Sequence, residues 1–234
     1  MYLVADKSRG AAEAGEGAAA SLPSDRWQDF PYSCLSHHGE ACCEIAREWV
    51  IANDFAQLNG GDITSGPRWM RQKYEWGPSV WPLHWCEAVS RKVIDCGAHS
   101  ALAHEAFIAR GLTAYRAQFV QRYSADATAQ WRLKWGDEQA SDHWLTDDVI
   151  YHEGNALLVA DGEVKLWDGS AGWWLNPRQI GGYGSVAAVR IFADSDQPLR
   201  WGEHRILPNT WHQIDAPATE GAAPEAQPSV FFKK

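Results

Sequence analysis

Asp95-Cys96-Gly97-Ala98-His99-Ser100-Ala101-Leu102-Ala103-His104-Glu105-Ala106-Phe107-Ile108-Ala109-Arg110-Gly111 reads as a helix that opens on a cysteine. Asp95 is a good N-cap, Leu102, Ala106 and Ala109 recur on one face, the intervening alanines favour helix, and Gly111 supplies a stop. Cys96 then lies among the unpaired N–H groups of the first turn, at the positive end of the helix dipole, which favours thiolate over thiol. That field is worth at most about 2 kcal/mol, or about 1.5 pKa units, enough to bring a thiol from about 8.5 to about 7. Strong activation needs a second positive group, most often a histidine.

The stretch from Tyr151 to Ser170 offers one. Ala156 to Val159 and Val164 to Trp167 suit strands, and Asp161-Gly162 between them is a strong hairpin signal. Pairing about that turn sets position 152 near position 171, so His152 and Asp168 fall at the same end of one hairpin. An acid there can hold an imidazole in the right tautomer and stabilise its charged form. The intervals are 56 residues from Cys96 to His152 and 16 from His152 to Asp168. His143, 47 residues after Cys96, is a competing base. Glu153 is set aside because strand alternation points it to the face opposite His152. His99 and His104, on the nucleophile's own helix, read as structural.

In this order of elements the chain resembles the transglutaminase-like branch of the papain-like cysteine enzymes. The likeness rests on a cysteine opening a helix, the helix end Arg110-Gly111-Leu112, a strand through Tyr115 to Tyr123, a histidine-bearing strand, and an aspartate one hairpin later beside a tryptophan, in Trp167-Asp168-Gly169-Ser170-Ala171-Gly172-Trp173. It covers roughly residues 94 to 174. The proline of the family's Asp-Pro-Thr-like turn is missing, and His152-Glu153-Gly154 stands where a His-Ala-Trp signature is usual. The resemblance implies an α+β fold with the catalytic helix packed on an antiparallel sheet, Cys96 as nucleophile, His152 as general base and later acid, and Asp168 as the residue that orients His152. It implies attack on an amide or thioester carbon, a thioester intermediate, and transfer to water or an amine. No cofactor and no metal are implied. Oxyanion or substrate-binding donors are expected from the Cys96 N–H and from Trp81, His84 or Trp85. The arylamine acyltransferases are similar in order, but their glycine-rich approach to the cysteine is absent.

Two other classes compete. Fourteen tryptophans in 234 residues, with Trp69, Trp76, Trp81 and Trp85 just ahead of Cys96, also suit a catalytically silent module that holds a peptide or glycan. Cys34-Leu35-Ser36-His37-His38-Gly39-Glu40-Ala41-Cys42-Cys43 crowds sulfur and imidazole into ten residues, yet lacks the paired spacings of a zinc site. The alternative for that segment is a buried stripe of Cys42, Ile45, Ala46, Trp49 and Val50 on a helix over 40–58.

The composition sets outer limits. With 45% hydrophobic residues the chain can bury one substantial core, expected over 26–215, with strands near 113–121, 151–160, 163–168 and 185–193 and a lid or substrate-selecting insertion over 124–148. Residues 1–25 and 216–234, rich in Ala, Gly, Glu and Pro, are expected to be disordered or extended. Gly181-Gly182-Tyr183-Gly184 reads as a loop before the last of these strands. A net charge of −9 argues against a nucleic-acid surface, and no apolar run approaches the roughly 20 residues that span a bilayer. No secretory signal is evident, and an odd number of cysteines argues against a disulfide framework. A cytoplasmic enzyme, biosynthetic in character, with a small-molecule, peptidyl or carrier-bound acyl substrate is the expectation; the residues leave oligomeric state open.

Overall fold

A helix that starts at Cys96 is the centre of the structure, a computed structural model that describes residues 28–122, 125–136, 149–160, 162–179 and 184–214. In chain order the first elements are β1 (Leu35–Ser36), α1 (Glu40–Ala52), α2 (Phe55–Leu58), α3 (Met70–Lys73), β2 (Glu75–Trp76), β3 (Leu83–His84), α4 (Trp85–Ser90) and β4 (Val93–Ile94). Then come α5 (Cys96–Ala109), β5 (Ala114–Arg122), α6 (Ala125–Trp135), β6 (Val149–Ala160), β7 (Glu163–Asp168), β8 (Trp173–Trp174), β9 (Val186–Phe192), β10 (Leu199–Trp201), β11 (His204–Ile206) and β12 (His212–Gln213). The two terminal segments expected at 1–25 and 216–234, residues 137–148 of the expected insertion with His143, Asp161 of the hairpin turn, and Gly181 to Tyr183 lie outside the described residues.

The fold is mixed α+β. Its main sheet runs β11-β10-β7-β6-β5-β9-β12, with β8 added to β7. Antiparallel pairs join β5 to β6 along their length, with Phe119 facing His152, and join β5 to β9 on the other side. Adjacent residues of one strand serve different cores. Leu157 and Trp167 pack with α1, α4 and α5, whereas Ala156 and Leu166 pack with Phe119, Ile191, Trp201 and Ile206, as a period of two requires.

The α5 helix is buried nearly all round through its first two turns, because the sheet covers one side and α1 and α4 the other. Phe107 is fully buried and packs edge-on to Phe55 and Trp167. Burial of such a ring contributes about 1.5–3 kcal/mol. The expected apolar face misplaces one residue: Ala109 is exposed, and Phe107 takes its role.

Other expectations need correction. The helix over 40–58 is two helices, because Asn53 ends α1 by returning its side-chain amide to the Trp49 carbonyl at 2.7 Å, and Asp54 then caps α2. Of the expected stripe Cys42, Ala46 and Trp49 are buried, while Ile45 is exposed. In the β6–β7 hairpin Ala160 faces Glu163, but a register shift between Leu158 and Ala160 sets Asn155 opposite Trp167, one residue away from the symmetric pairing. No helix among the described residues is long and apolar enough to cross a membrane.

Candidate active site

The start of α5 is fixed by the carboxylate of Asp95. Its Oδ1 accepts the Ala98 N–H at 2.8 Å and its Oδ2 accepts the Trp81 indole N–H, while the Asp95 N–H donates to Ser79 Oγ at 3.1 Å. Cys96 is thereby held as the first helical residue, with only 2% of its surface exposed.

Across from it, β6 and β7 supply a buried ion pair. His152 Nε2 lies 2.8 Å from Asp168 Oδ1. Asp168 Oδ1 also accepts the Ala171 N–H at 3.0 Å, and Gln121 Nε2 approaches Oδ2 at 3.5 Å. The second ring nitrogen of His152 makes no fully formed hydrogen bond, although the Cys96 thiol is within side-chain hydrogen-bonding and Coulombic reach.

Electrostatics follow from these neighbours. Burial pushes the Cys96 thiol above its ordinary value, with Asp95 and Glu153 acting in the same sense and His152 opposing them. Burial alone would lower the imidazole of His152, yet the Asp168 carboxylate and the Cys96 sulfur hold it well above the ordinary histidine value. For Asp168 burial acts upward, but His152 and the hydrogen bonds it accepts keep its carboxyl below the usual range.

Glu153, set aside on strand alternation, belongs to this neighbourhood after all. Its carboxylate pairs with Arg116 at 3.1 Å, accepts the Tyr151 hydroxyl at 3.0 Å, and is chelated by Ser33, whose N–H reaches both oxygens at 3.1 and 3.0 Å and whose hydroxyl reaches one at 3.0 Å. Arg116 continues to Ser100 Oγ at 2.9 Å and to the Gly97 carbonyl at 3.3 Å. A signal for this network stood in the sequence: an arginine and a glutamate inside strands that read as buried have to find each other or pay the cost of an unpaired buried charge. Ser33 carried no such signal, because nothing local ties it to a strand 120 residues away.

Trp81, His84 and Trp85 fare differently. Trp81 stands beside the start of α5: a Cβ added at Gly97 would lie 3.1 Å from its ring, though its N–H is taken by Asp95. His84 is turned to Ser36 Oγ, 2.8 Å from its Nδ1, and stacks on His38. Trp85 is buried in the α1–α4 core against Trp49. His99 is completely buried with neither ring nitrogen hydrogen-bonded, packed edge-on to Tyr74. Burial drops its pKa to about 3, so it stays neutral. His104 bonds the Ala114 carbonyl at 3.1 Å.

In the Cys34 to Cys43 segment the thiols of Cys34, Cys42 and Cys43 are free, and among the described residues no group of three or more His, Cys, Asp or Glu is arranged to hold a metal ion. From the 124–148 segment, α6 packs Trp131 on Trp76 with ring centroids 4.2 Å apart and pairs Lys134 with Glu75 at 2.7 Å. Comparison with protein-family models, with curated proteins and with solved structures returned no match.

Proposed function

We propose that the chain is a cysteine hydrolase or acyltransferase of papain-like, transglutaminase-like kind, acting on an amide or thioester through Cys96, His152 and Asp168. One observation carries this reading: a cysteine at the first turn of a buried helix lies beside an imidazole whose far nitrogen is held at 2.8 Å by a buried carboxylate. From the form in which the imidazole is neutral, His152 takes the thiol proton as Sγ attacks the acyl carbon. Donors at the helix start receive the developing oxyanion. His152 then returns the proton to the leaving amine or thiol, and the thioester on Cys96 is resolved by water or an amine that His152 deprotonates. Asp168 stays ionised and keeps the imidazole oriented. The acyl donor is a small molecule, a peptide or a carrier-bound thioester.

Incubating the protein with a panel of thioesters and activated amides, followed by intact-mass and peptide mapping, tests the reading. An acyl adduct on Cys96, absent from Cys96→Ala, is the expected outcome. A panel that acylates wild type and Cys96→Ala alike contradicts it.

A second reading has one observation in its favour. Burial of Cys96, with the thiol held above its ordinary value, suits a silent binding module built on tryptophans. A Cys96 that cannot be acylated or alkylated in the folded protein would favour that module.

A further inference from the structure

The start of α5, beside the buried Cys96, is covered by identifiable groups. A Cβ added at Gly97 would come within 2.5 Å of Ser33 Cβ and Oγ and 3.1 Å of the Trp81 ring, so Ser33 can lie this close to the backbone next to Cys96 only because Gly97 has no side chain. Ser33 belongs to a segment, Phe30 to Cys34, that has no regular secondary structure and adds to no sheet. It is held instead by side chains of β5, β6 and β9. Gln118 donates to the Phe30 carbonyl at 2.8 Å, the Phe30 ring stands edge-on to Tyr151 at 5.0 Å, and Tyr32 sits between the Arg116 guanidinium at 5.4 Å and the Phe192 ring at 4.5 Å. Ser33 then gives its amide and hydroxyl to Glu153.

The chemistry of these contacts is that of a bound peptide. A buried carboxylate takes a main-chain N–H and a small hydroxyl, an amide side chain takes a main-chain carbonyl, and an exposed aromatic ring rests against a guanidinium and a second ring. Tyr32 and Cys34 remain exposed, so the segment lies on the molecule rather than within its core.

Resting on the thioester reading above, the geometry points to Phe30–Cys34 as an internal occupant of the acyl-substrate cleft: a strap that closes over Cys96, and whose place is taken in turnover by a peptide with an aromatic residue followed by a small hydroxyl residue. Glu153, Arg116 and Gln118 are then substrate-positioning residues, and Gly97, lacking a side chain, lets the bound chain approach the start of the helix. Displacing the strap would also relieve part of the burial that holds the thiol above its ordinary value.

The test is the high-pH plateau rate of Cys96 alkylation in the full chain, read by peptide mapping for wild type, Tyr32→Ala and Ser33→Gly. Ser33→Gly keeps the main-chain amide on Glu153 and loses only the hydroxyl, so it guards against a folding defect in Tyr32→Ala. The plateau is expected to rise at least tenfold in Tyr32→Ala and less in Ser33→Gly. A synthetic peptide of residues 28–36 carrying Cys34→Ser should return the Tyr32→Ala plateau toward wild type, and the same peptide with Tyr32→Ala should not. An unchanged plateau in both variants overturns the strap, and a raised plateau that the peptide does not lower overturns the peptide-substrate assignment. Neither result bears on the thioester reading, which is tested by the acyl adduct on Cys96 and by the pH midpoint of alkylation, not by its plateau.

Discussion

Two buried ion pairs hang from consecutive residues of β6, and they are built differently. Glu153 is saturated: Arg116, Tyr151 and Ser33 fill both of its oxygens, and the Arg116 guanidinium is itself spread over Ser100 and Gly97. His152 is held on one side only, by Asp168, and its other ring nitrogen is left beside a thiol without a full hydrogen bond. A pair whose valences are all satisfied fixes structure, whereas a pair with one open nitrogen, next to a group that can give up a proton, is what the proposed thioester chemistry would use. The partners differ too, since arginine cannot shed its charge and histidine can.

That contrast can be broken by substitution, and the largest expected effect is on chemistry. Cys96→Ala should abolish acyl-adduct formation outright, with urea unfolding close to that of wild type, because a buried thiol is replaced by a smaller apolar group; loss of the fold together with the adduct would blur the distinction between the pairs.

Next in size is an effect of pH. His99 is buried neutral with a folded pKa of about 3, below its unfolded value of about 6.5, so the unfolded chain binds the extra proton as acid is added. Stability is therefore lost as pH falls from about 6.5 toward about 3, by up to about 5 kcal/mol. Denaturant titrations of His99→Phe across that window should show a flatter acid limb than wild type.

Glu153→Gln comes third. It leaves the Arg116 charge buried without its counter-charge and should cost about 3–5 kcal/mol in urea unfolding, with the pH midpoint of Cys96 alkylation lowered slightly, since Glu153 acts to raise the thiol. A loss below about 1 kcal/mol would show that the pair is more open to water than its burial indicates.

Asp168→Asn sharpens the same comparison from the other side. The amide can still accept the Ala171 N–H, and His152 can go neutral, so the stability cost at neutral pH should be smaller than for Glu153→Gln. Because His152 is raised and Asp168 lowered in the folded protein, the pair stabilises fully above the unfolded carboxyl value of about 4 and below the unfolded histidine value of about 6.5. Its contribution is lost as pH falls through the folded Asp168 value or rises through the folded His152 value. Asp168→Asn should remove that alkaline loss, which a stability profile from pH 6 to 10 would show.

Much of the framework was legible because it is local. Asp95 as N-cap, the helical run to Ala109 and the antiparallel pairing of β6 with β7 each follow from a few neighbouring residues, and these place Cys96, His152 and Asp168 without knowledge of the rest. Exposure of Ala109 and burial of Phe107 were not legible, since a helix covered on two sides has no single apolar stripe. The break at Asn53-Asp54 was marked by two good capping residues, which the single helix expected over 40–58 ran through. Glu153 was dismissed by a rule that holds for one strand seen alone; the start of α5 and the Ser33 segment bring partners to it that alternation does not anticipate. Ser33 itself depends on a contact far along the chain that no pattern in its own surroundings announces.

The most direct test of the central claim is the pH dependence of Cys96 alkylation in wild type, His152→Ala and Asp168→Asn, each curve normalised to its own plateau so that accessibility cancels and the other four cysteines serve as internal references. His152 lowers the thiol both by charge and by hydrogen bonding, so the midpoint should move to higher pH in His152→Ala and by a smaller amount in Asp168→Asn. Superimposable curves for the three proteins would contradict a coupled Cys96–His152–Asp168 site and leave the tryptophan-rich binding module in its place.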